Sequence, residues 1–323
     1  MESKVKKIGV LTSGGDAPGM NAAVRAVTRA ALAKGLEVVG IRRGYAGLIE
    51  GEVVDLGFRD VSNILQMGGT ALFSARSKLF QTDEGMKKAI ENCHKFGIEG
   101  MVVIGGDGSF RGAAALSANG IPCIGIPGTI DNDISSTDYS IGFDTCVNCV
   151  TEMIDRIRDT MRSHERCSVV EVMGRNAGYI ALHAGIATGA AFVMVPEVKC
   201  TKEDVIEKIE HGRSLGKSNF IVIVAEGVGH ADELSAYIQE KTGIITRATI
   251  LGHVQRGGSP TSRDRVLASQ YGAYAVELLA EGKSNRVVGI RQDALVNYDI
   301  QEALSMTKPF PMDLYKMSEM ISI

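Results

Sequence analysis

Residues 131 to 133, Asp-Asn-Asp, place two carboxylates two positions apart in the segment Gly125-Ile126-Pro127-Gly128-Thr129-Ile130-Asp131-Asn132-Asp133, which ends the apolar run Ile121 to Ile126. Side chains at i and i+2 diverge on a helix, whereas a loop at the carboxyl end of a strand can turn both toward one ligand. One carboxylate could then take a proton while the other helps hold a metal ion. The competing structural use is an Asx-type turn, in which Asp and Asn bond their own backbone beside the Pro-Gly kink.

A second loop has complementary chemistry. Gly105-Gly106-Asp107-Gly108-Ser109 follows the apolar Met101 to Ile104 and precedes Phe110 to Asn119, a segment rich in alanine. In the order strand, glycine turn, helix, the backbone approaches a ligand closely and the free N–H groups of the helix's first turn attract phosphate. Asp107 among phosphates calls for an intervening cation, and hard carboxylate oxygens suit Mg²⁺. The structural alternative is a tight turn with Ser109 as N-cap and Gly120 as helix stop. Thr12 to Asn21, with Gly14, Gly15 and Gly19, is another turn of this kind, between an apolar run and the helical pattern of Ala22 to Ala33. Neither loop fits G-x-G-x-x-G, and no Walker A motif is present. Gly212 to Ser218 falls one residue short of P-loop spacing and precedes its apolar run, so it reads as a helix-to-strand connection.

Such loops need strands to carry them. Short β-branched runs alternate with amphipathic segments, the pattern of an α/β fold with largely parallel sheets. Strands are expected at Lys7–Leu11, Glu37–Ile41, Met101–Ile104, Cys123–Ile126, Ser168–Val172, Phe192–Val195, Phe220–Ala225 and Arg286–Ile290. Val147, Val150, Ile154, Ile157 and Met161 recur at helical spacing and predict a long helix over about Phe143 to Met161. At 323 residues the chain exceeds the size of single cores, so two domains are expected. No repeat or Pro-rich linker separates them, and the boundary reads as two crossings of the chain. The apolar end, Met317 to Ile323, is expected to pack on the second domain.

The formal net charge of −3, with mixed signs, gives no basic stripe for nucleic acid and no polybasic segment for a membrane, which points to small-molecule partners. Six scattered cysteines, Cys93, Cys123, Cys146, Cys149, Cys167 and Cys200, lack the density of a disulfide scaffold. Cys146 and Cys149 have no second pair or nearby histidine to complete a zinc site. Met1 to Lys7 has no signal core and no run approaches the roughly 20 apolar residues of a membrane span, so a cytoplasmic location is expected.

Taken together, VLTSGGDAPGMNAAVRA, VVIGGDGSF, IPGTIDNDI, VVEVMGRNAGYIAL and LGHVQRGGSP, in this order, strongly resemble the bacterial ATP-dependent 6-phosphofructokinases, from about Lys6 to past Pro309. The resemblance implies two similar Rossmann-like three-layer α/β/α domains with the active site in the cleft between them. Residues 1–142 with 255–305 would bind ATP, and 143–254 with 306–323 would bind fructose 6-phosphate. The implied reaction is Mg²⁺-dependent transfer of the ATP γ-phosphoryl to the C1 hydroxyl of fructose 6-phosphate, a step of glycolysis.

By the same resemblance, Asp131 is the catalytic base, Thr129 and Arg175 hold the migrating phosphoryl, Asp107 is the metal ligand and Asp133, also catalytic, lies nearby in the metal's shell. Gly15, Arg76, Ser77, Gly106, Asp107, Gly108 and Ser109 would cradle ATP. Thr129, Ile130, Asp131, Met173, Gly174, Arg175, Glu226, His253, Val254, Gln255 and Arg256 would bind the sugar phosphate, with Arg166 and Arg247 brought by a neighbouring subunit of a homotetramer. Pyrophosphate-using relatives typically carry Asp where this chain has Gly108 and Lys where it has Gly128, so the implied donor is ATP.

Effector contacts for ADP and phosphoenolpyruvate are implied at Arg25, Arg29, Arg158 and Lys217. The sequence departs from the family there. Ala191 and Asn63 stand where allosteric members usually have acidic residues, and Leu215 where they usually have a basic one, which implies an intersubunit effector site with an altered response. A lipid or NAD kinase sharing the G-G-D-G loop, and a non-catalytic sensor of the same fold, remain as alternatives. The His253 and Arg256 clamp weighs against the first, and the presence of Asp107, Asp131, Asp133 and Arg175 against the second.

Overall fold

The computed structural model describes residues 3–322; Met1, Glu2 and Ile323, the outermost residues of the two expected domains, lie outside the described residues. In chain order the strands are β1 (Lys7–Thr12), β2 (Glu37–Ile41), β3 (Val53–Asp55), β4 (Gly100–Gly105), β5 (Cys123–Pro127) and β6 (Cys167–Val172). There follow β7 (Phe192–Met194), β8 (Phe220–Ala225), β9 (Thr246–Ile250), β10 (Arg286–Arg291) and β11 (Ala294–Asp299). The helices are α1 (Met20–Ala33), α2 (Gly44–Glu50), α3 (Asp83–Lys95), α4 (Asp107–Ala118), α5 (Phe143–His164) and α6 (Tyr179–Thr188). The remainder are α7 (Lys202–Ser214), α8 (Ala231–Thr242), α9 (Ser262–Ala280), α10 (Ile300–Ser305) and α11 (Met312–Ile321).

The chain forms two compact units. The first comprises the chain up to Ile130, Ile134–Thr145 and Arg256–Lys308; the second comprises Asp131–Asp133, Cys146–Gln255 and the chain from Pro309 onward. The first holds a seven-stranded sheet in the order β11-β10-β5-β4-β1-β2-β3. Its five inner strands pair in parallel, and β3 and β11 close the edges antiparallel. β4 and β5 are buried along their whole length, because parallel strands covered by helices on both faces must be apolar throughout. The second unit holds a four-stranded sheet, β7-β8-β6-β9, with every pair parallel.

Three strands escaped the sequence reading. β3 has three residues, too few for a pattern. β9 reads Thr-Arg-Ala-Thr-Ile and is only half-buried at the sheet edge, so it has no apolar run. β11 forms a hairpin with β10 through Gln292 and Asp293, both at positive φ (49 and 61). That is the type I′ geometry usually announced by Asn-Gly. α4 begins at Asp107, three residues before the expected Phe110, with Gly106 as N-cap; Ser109 therefore lies inside the helix and does not cap it.

α11 belongs to the second unit, where Tyr315 is buried and its hydroxyl donates to the Val193 carbonyl at 3.1 Å. Met320 and Ile321 at its end stay exposed, so packing accounts for only part of the apolar end. The first unit's core gathers around Phe110, Met101, Val103, Leu116 and Val287. Phe110 sits so close over Gly125 that a Cβ there would stand 2.7 Å from the ring. Phe110→Ala should lower stability by about 3–5 kcal/mol in urea unfolding; a loss below about 1 kcal/mol would mean that this ring is not central to the core.

Candidate active site

β1 and β4 are neighbours in the first sheet, but the chain leaves them in opposite directions, toward β2 and toward β5. Their carboxyl ends are thus the topological switch point of an open parallel sheet, where ligands bind. Both glycine loops start there. The register pairs Thr12 with Ile104, and Ser13 N donates to Ile104 O at 2.9 Å. α1 and α4 begin after Gly19 and Gly106, neither of which supplies a side-chain cap, whereas α3, α7, α9 and α10 are capped by Thr82, Thr201, Thr261 and Asp299. The first-turn amides of α1 and α4 are donors that suit an anion.

The glycines here answer to different neighbours. A Cβ on Gly15 would stand 2.5 Å from Arg256 Nη1, whose guanidinium also donates to the Asp16 carbonyl at 3.3 Å. A Cβ on Gly105 would meet Ser109 Oγ and the Ser13 carbonyl, each at 2.5 Å. A Cβ on Gly108 would meet nothing within 4 Å. The loop carrying Arg76 and Ser77 is tied to the same place, since Ser74 Oγ donates to Gly14 O at 2.6 Å and Thr12 Oγ1 to Phe73 O at 2.8 Å. Ser77 Oγ accepts from Phe80 N at 3.2 Å, and Arg76 is exposed.

The third loop is fastened to the second. Gly128 N donates to Gly105 O at 2.9 Å, and Thr129 N donates to Ile141 O at 3.1 Å. Ser140 Oγ donates to Thr129 O at 2.7 Å. Beyond the fully buried Ile130, Asp131 and Asn132 are also buried, and Asn132 takes φ 52 in the left-handed region. Asp131–Asp133 groups with the second unit although both flanking segments belong to the first. Burial, followed by the nearby Glu197 and Asp133 carboxylates, pushes the Tyr179 phenol up to about 12.

In the second unit, β6 lies between β8 and β9, so three adjacent carboxyl ends present Met173-Gly174-Arg175, Glu226 and the turn residues Gly252 to Gln255, whereas Arg256, the last residue of that turn, belongs to the first unit. Met173 N donates to Gln255 Oε1 at 3.1 Å, and Arg175 N donates to Glu226 Oε1 at 2.7 Å. Gln255 is fully buried and its Nε2 donates to Gly252 O at 3.0 Å, so its amide serves the loops, while His253 and Val254 are exposed. Gly174 has φ 137, and a Cβ there would stand 2.4 Å from Ala177 O. Arg175, at φ 57, is a non-glycine residue in the left-handed region, a strained conformation that its surroundings must enforce. Glu197, which the sequence reading did not single out, accepts from Gly178 N at 2.9 Å and closes the same loop. Thr145 and Asp264 in the first unit, joined at 2.5 Å, were likewise passed over.

Arg166 and Arg247 are not brought to this end. Arg166 precedes β6, and Arg247 is paired with Ser168 near the beginning of that strand. At about 3.3 Å per residue along β6, Met173 lies roughly 17 Å from the level of Arg247 and roughly 23 Å from Arg166. Among the effector candidates, Arg25 and Arg29 lie on α1. Burial, and then the Arg29 charge, lower the Arg25 pKa, and the Nε atoms of both are buried without a hydrogen-bond partner. Arg158 donates to the Thr188 carbonyl. Lys217 donates to Ser322 O at 3.0 Å and has its pKa lowered by burial, then by Arg158 and Lys208. Ala191 lines a recess with Lys208, Glu319 and Ser322, Leu215 is exposed and Asn63 is exposed.

The sequence model of the phosphofructokinase family matches residues 7–279. The chain belongs to the phosphofructokinase family. It is 54% identical over 319 residues to the ATP-dependent 6-phosphofructokinase of Clostridium botulinum (strain Alaska E43 / Type E3), covering 98% of this chain and 100% of that one. It is 55% identical over 318 residues to the enzyme of the same name from Clostridium tetani, with the same coverage. Among solved structures, Saccharomyces cerevisiae phosphofructokinase superposes with a TM-score of 0.89 at 36% identity, covering 98% of this chain but only 48% of the yeast chain. Pyrophosphate-dependent phosphofructokinase from Marinobacter aquaeolei superposes with a TM-score of 0.85 at 24% identity, over 96% of this chain and 86% of that one, which shows the shared fold alone.

Within this phosphofructokinase fold the αL backbone of Arg175 gives a direct test of local strain. Glycine adopts φ 57 without the Cβ penalty of about 1–2 kcal/mol, but loses about 0.5–1 kcal/mol more entropy on folding. Arg175→Gly should therefore leave urea stability unchanged or raise it by up to about 1 kcal/mol. A loss of 2 kcal/mol or more (roughly the scale of a broken buried contact) would mean that the arginine side chain stabilises the fold.

Proposed function

We infer that this chain is an ATP-dependent 6-phosphofructokinase, which transfers the γ-phosphoryl of ATP to the C1 hydroxyl of fructose 6-phosphate and yields fructose 1,6-bisphosphate and ADP. The observation that carries this is 54% identity along nearly the whole chain to bacterial enzymes of that name. A likeness confined to one G-G-D-G loop, as a lipid or NAD kinase would have, does not extend across residues 7–279.

In this assignment the first unit takes ATP and the second takes the sugar phosphate. The amides after Gly19 and Gly106, with Gly15, Ser109, Arg76 and Ser77, receive the nucleotide's phosphates, for which helix termini without a side-chain cap are suited. Thr129 and Arg175 hold the migrating phosphoryl. Phosphoryl transfer needs positioning and charge stabilisation more than covalent help. Asp131 takes the C1 hydroxyl proton, a role open to a carboxylate when that transfer is late. Glu226 and Gln255 keep the Met173–Arg175 loop in shape, while His253 and Arg256 serve the 6-phosphate.

Asp107, at the positive end of α4, offers the hard oxygen that Mg²⁺ prefers. Among the described residues no three His, Cys, Asp or Glu side chains gather into a metal cage, so the remaining ligands would be phosphate oxygens and water. The ion, when bound, neutralises charge on the β- and γ-phosphates.

Room at Gly108 supports ATP over pyrophosphate. A Cβ at that position would meet no protein atom within 4 Å, and an Asp there would crowd and repel a nucleotide bound beside it. The distance between the two ends of β6 supports a homotetramer with shared sites: Arg166 and Arg247 are too far from their own Met173 and Arg175 to grip one small ligand. The cations Arg25, Arg29, Arg158 and Lys217 support an effector site for ADP or phosphoenolpyruvate. Loss of the acidic partners at Ala191 and Asn63 weakens its hold on a metal-bound nucleotide more than on a free anion. Among the described residues no helix is long and apolar enough to cross a membrane; a glycolytic kinase of this type is proposed to work in the cytoplasm.

The reading is tested by product formation from fructose 6-phosphate and Mg²⁺ with ATP or pyrophosphate as sole donor. Turnover with ATP alone is expected; substantial turnover with pyrophosphate would refute the Gly108 argument, and none with either would leave a sensor. Subunit sharing is tested by mixing two inactive variants. Asp131→Ser and the double variant Arg166→Ala/Arg247→Ala should each lose at least about a hundredfold in kcat/KM, yet regain about a quarter of wild-type activity when co-assembled. Failure of co-assembled mixtures to recover would place both arginines outside a shared site.

A further inference from the structure

We propose that Asp264, which has no role in the assignment above, is a positioning residue for phosphoryl transfer, its buried carboxylate fixing the Ser140–Gly142 segment from which Thr129 hangs. The inference rests on the reading that Thr129 meets the migrating phosphoryl. Asp264 is 1% exposed on the first turn of α9. Its Oδ1 accepts from Gly142 N at 2.9 Å, and its Oδ2 accepts from Thr145 N at 2.8 Å and Thr145 Oγ1 at 2.5 Å.

The bonds continue to the catalytic loop within the same unit. Ile141, next to Gly142, donates its N–H to Pro127 O at 3.0 Å and accepts Thr129 N at 3.1 Å, while Ser140 Oγ holds Thr129 O at 2.7 Å. The first phosphate loop closes on the same pair from another side: a Cβ on Gly19 would stand 2.7 Å from Ile141 Cγ2 and 3.5 Å from Asp264 Cβ. Asp264 thus holds the segment behind Thr129 through its carboxylate and packs beside the first phosphate loop through its Cβ.

A comparison inside the chain separates this from ordinary helix capping. α7 and α9 both start with Thr-x-x-Asp. In α7 the Asp204 carboxylate returns to Thr201 N at 2.7 Å, a reciprocal capping box exposed to solvent. In α9 the Asp264 carboxylate leaves its own N-cap and serves the start of α5 instead. Thr261 N is satisfied by Thr145 Oγ1 at 3.0 Å, and Thr261 Oγ1 donates to Asp144 Oδ2 at 2.6 Å. Capping α9 would not require burial, which pushes the Asp264 carboxyl upward against the hydrogen bonds from Thr145 and Gly142 that pull it down. The side chain is placed where a carboxylate is costly, and what it gains there is three donors from the segment behind Thr129. An asparagine has one acceptor oxygen and would turn its NH₂ toward one of those donors.

The test compares wild type, Asp264→Asn and Asn92→Ala, the last removing part-buried bonds to the Leu48 and Ile49 carbonyls that lie outside this chain of bonds. Asp264→Asn should lose about tenfold to a hundredfold in kcat, with KM for both substrates within about threefold. Amide hydrogen exchange of ligand-free protein should quicken selectively over residues 127–145. Asn92→Ala should lower Tm while keeping kcat within about twofold, since it touches no group in the chain of bonds. Inactive wild type would overturn the phosphofructokinase reading alone, because the exchange measurement judges the fixing of the segment without turnover. An unchanged kcat in Asp264→Asn, or faster exchange spread evenly over the unit, would overturn the proposal. Should Asp264→Asn fail to fold, Thr145→Val removes one of the three donors and should lower kcat about threefold to tenfold; no change would count against the proposal equally.

Discussion

Backbone N–H groups at the carboxyl ends of β1 and β4 are the constraint on which the first unit is built. They carry partial positive charge only if nothing else caps them, and they converge only if two adjacent parallel strands lead into helices running opposite ways around the sheet. No side chain caps α1 or α4 and the strand order meets the second condition, so a chain of net charge −3 still presents backbone donors suited to an anion. The cost is carried by the core: strands buried on both faces must be apolar throughout, and β4 and β5 are.

The second unit reaches a similar end by other means. Met173-Gly174-Arg175 follows β6 with two consecutive left-handed residues, one of them an arginine. Glu226 and Gln255, from the segments that follow the neighbouring strands β8 and β9, each accept a backbone N–H of this loop and help hold that conformation. A carboxylate spent on backbone geometry is a sign that the direction of the Arg175 side chain matters more than local comfort. At the other end of the same strand, Arg166 has its Nε buried without a partner, so the two ends of β6 serve different surroundings.

The central strands and the three loops were legible in the sequence because their signals are local: an apolar run, then glycines, then a helical pattern. β9 and β11 were not, because an edge strand needs only half a pattern and the β10–β11 turn is made by Gln292 and Asp293, whose strain the hairpin enforces. The start of α4 was misread by three residues since Gly106 offers no capping side chain to mark it. Asp264 was invisible for a different reason: Thr-x-x-Asp announces a capping box with equal force at Thr201 and at Thr261, and only tertiary packing decides which carboxylate turns back and which reaches for another helix.

Glycine content, so conspicuous in the sequence, has two physical meanings that the structure separates. At Gly105 a Cβ would strike the Ser13 carbonyl at 2.5 Å, so glycine there is required by the fold and says little about a ligand, whereas at Gly15 it would meet only the flexible end of the Arg256 side chain at 2.5 Å. At Gly128 the neighbours are the tips of Ile104 and Met20, at 3.2 Å; a larger residue demands that they yield, and this position mixes packing with recognition. At Gly108 the surroundings are empty, φ is not in the left-handed region, and the residue lies inside a helix. Glycine in a helix costs about 1 kcal/mol relative to alanine. A residue that relieves no clash and takes no special conformation is not explained by packing, and the space beside it opens at the first turn of α4.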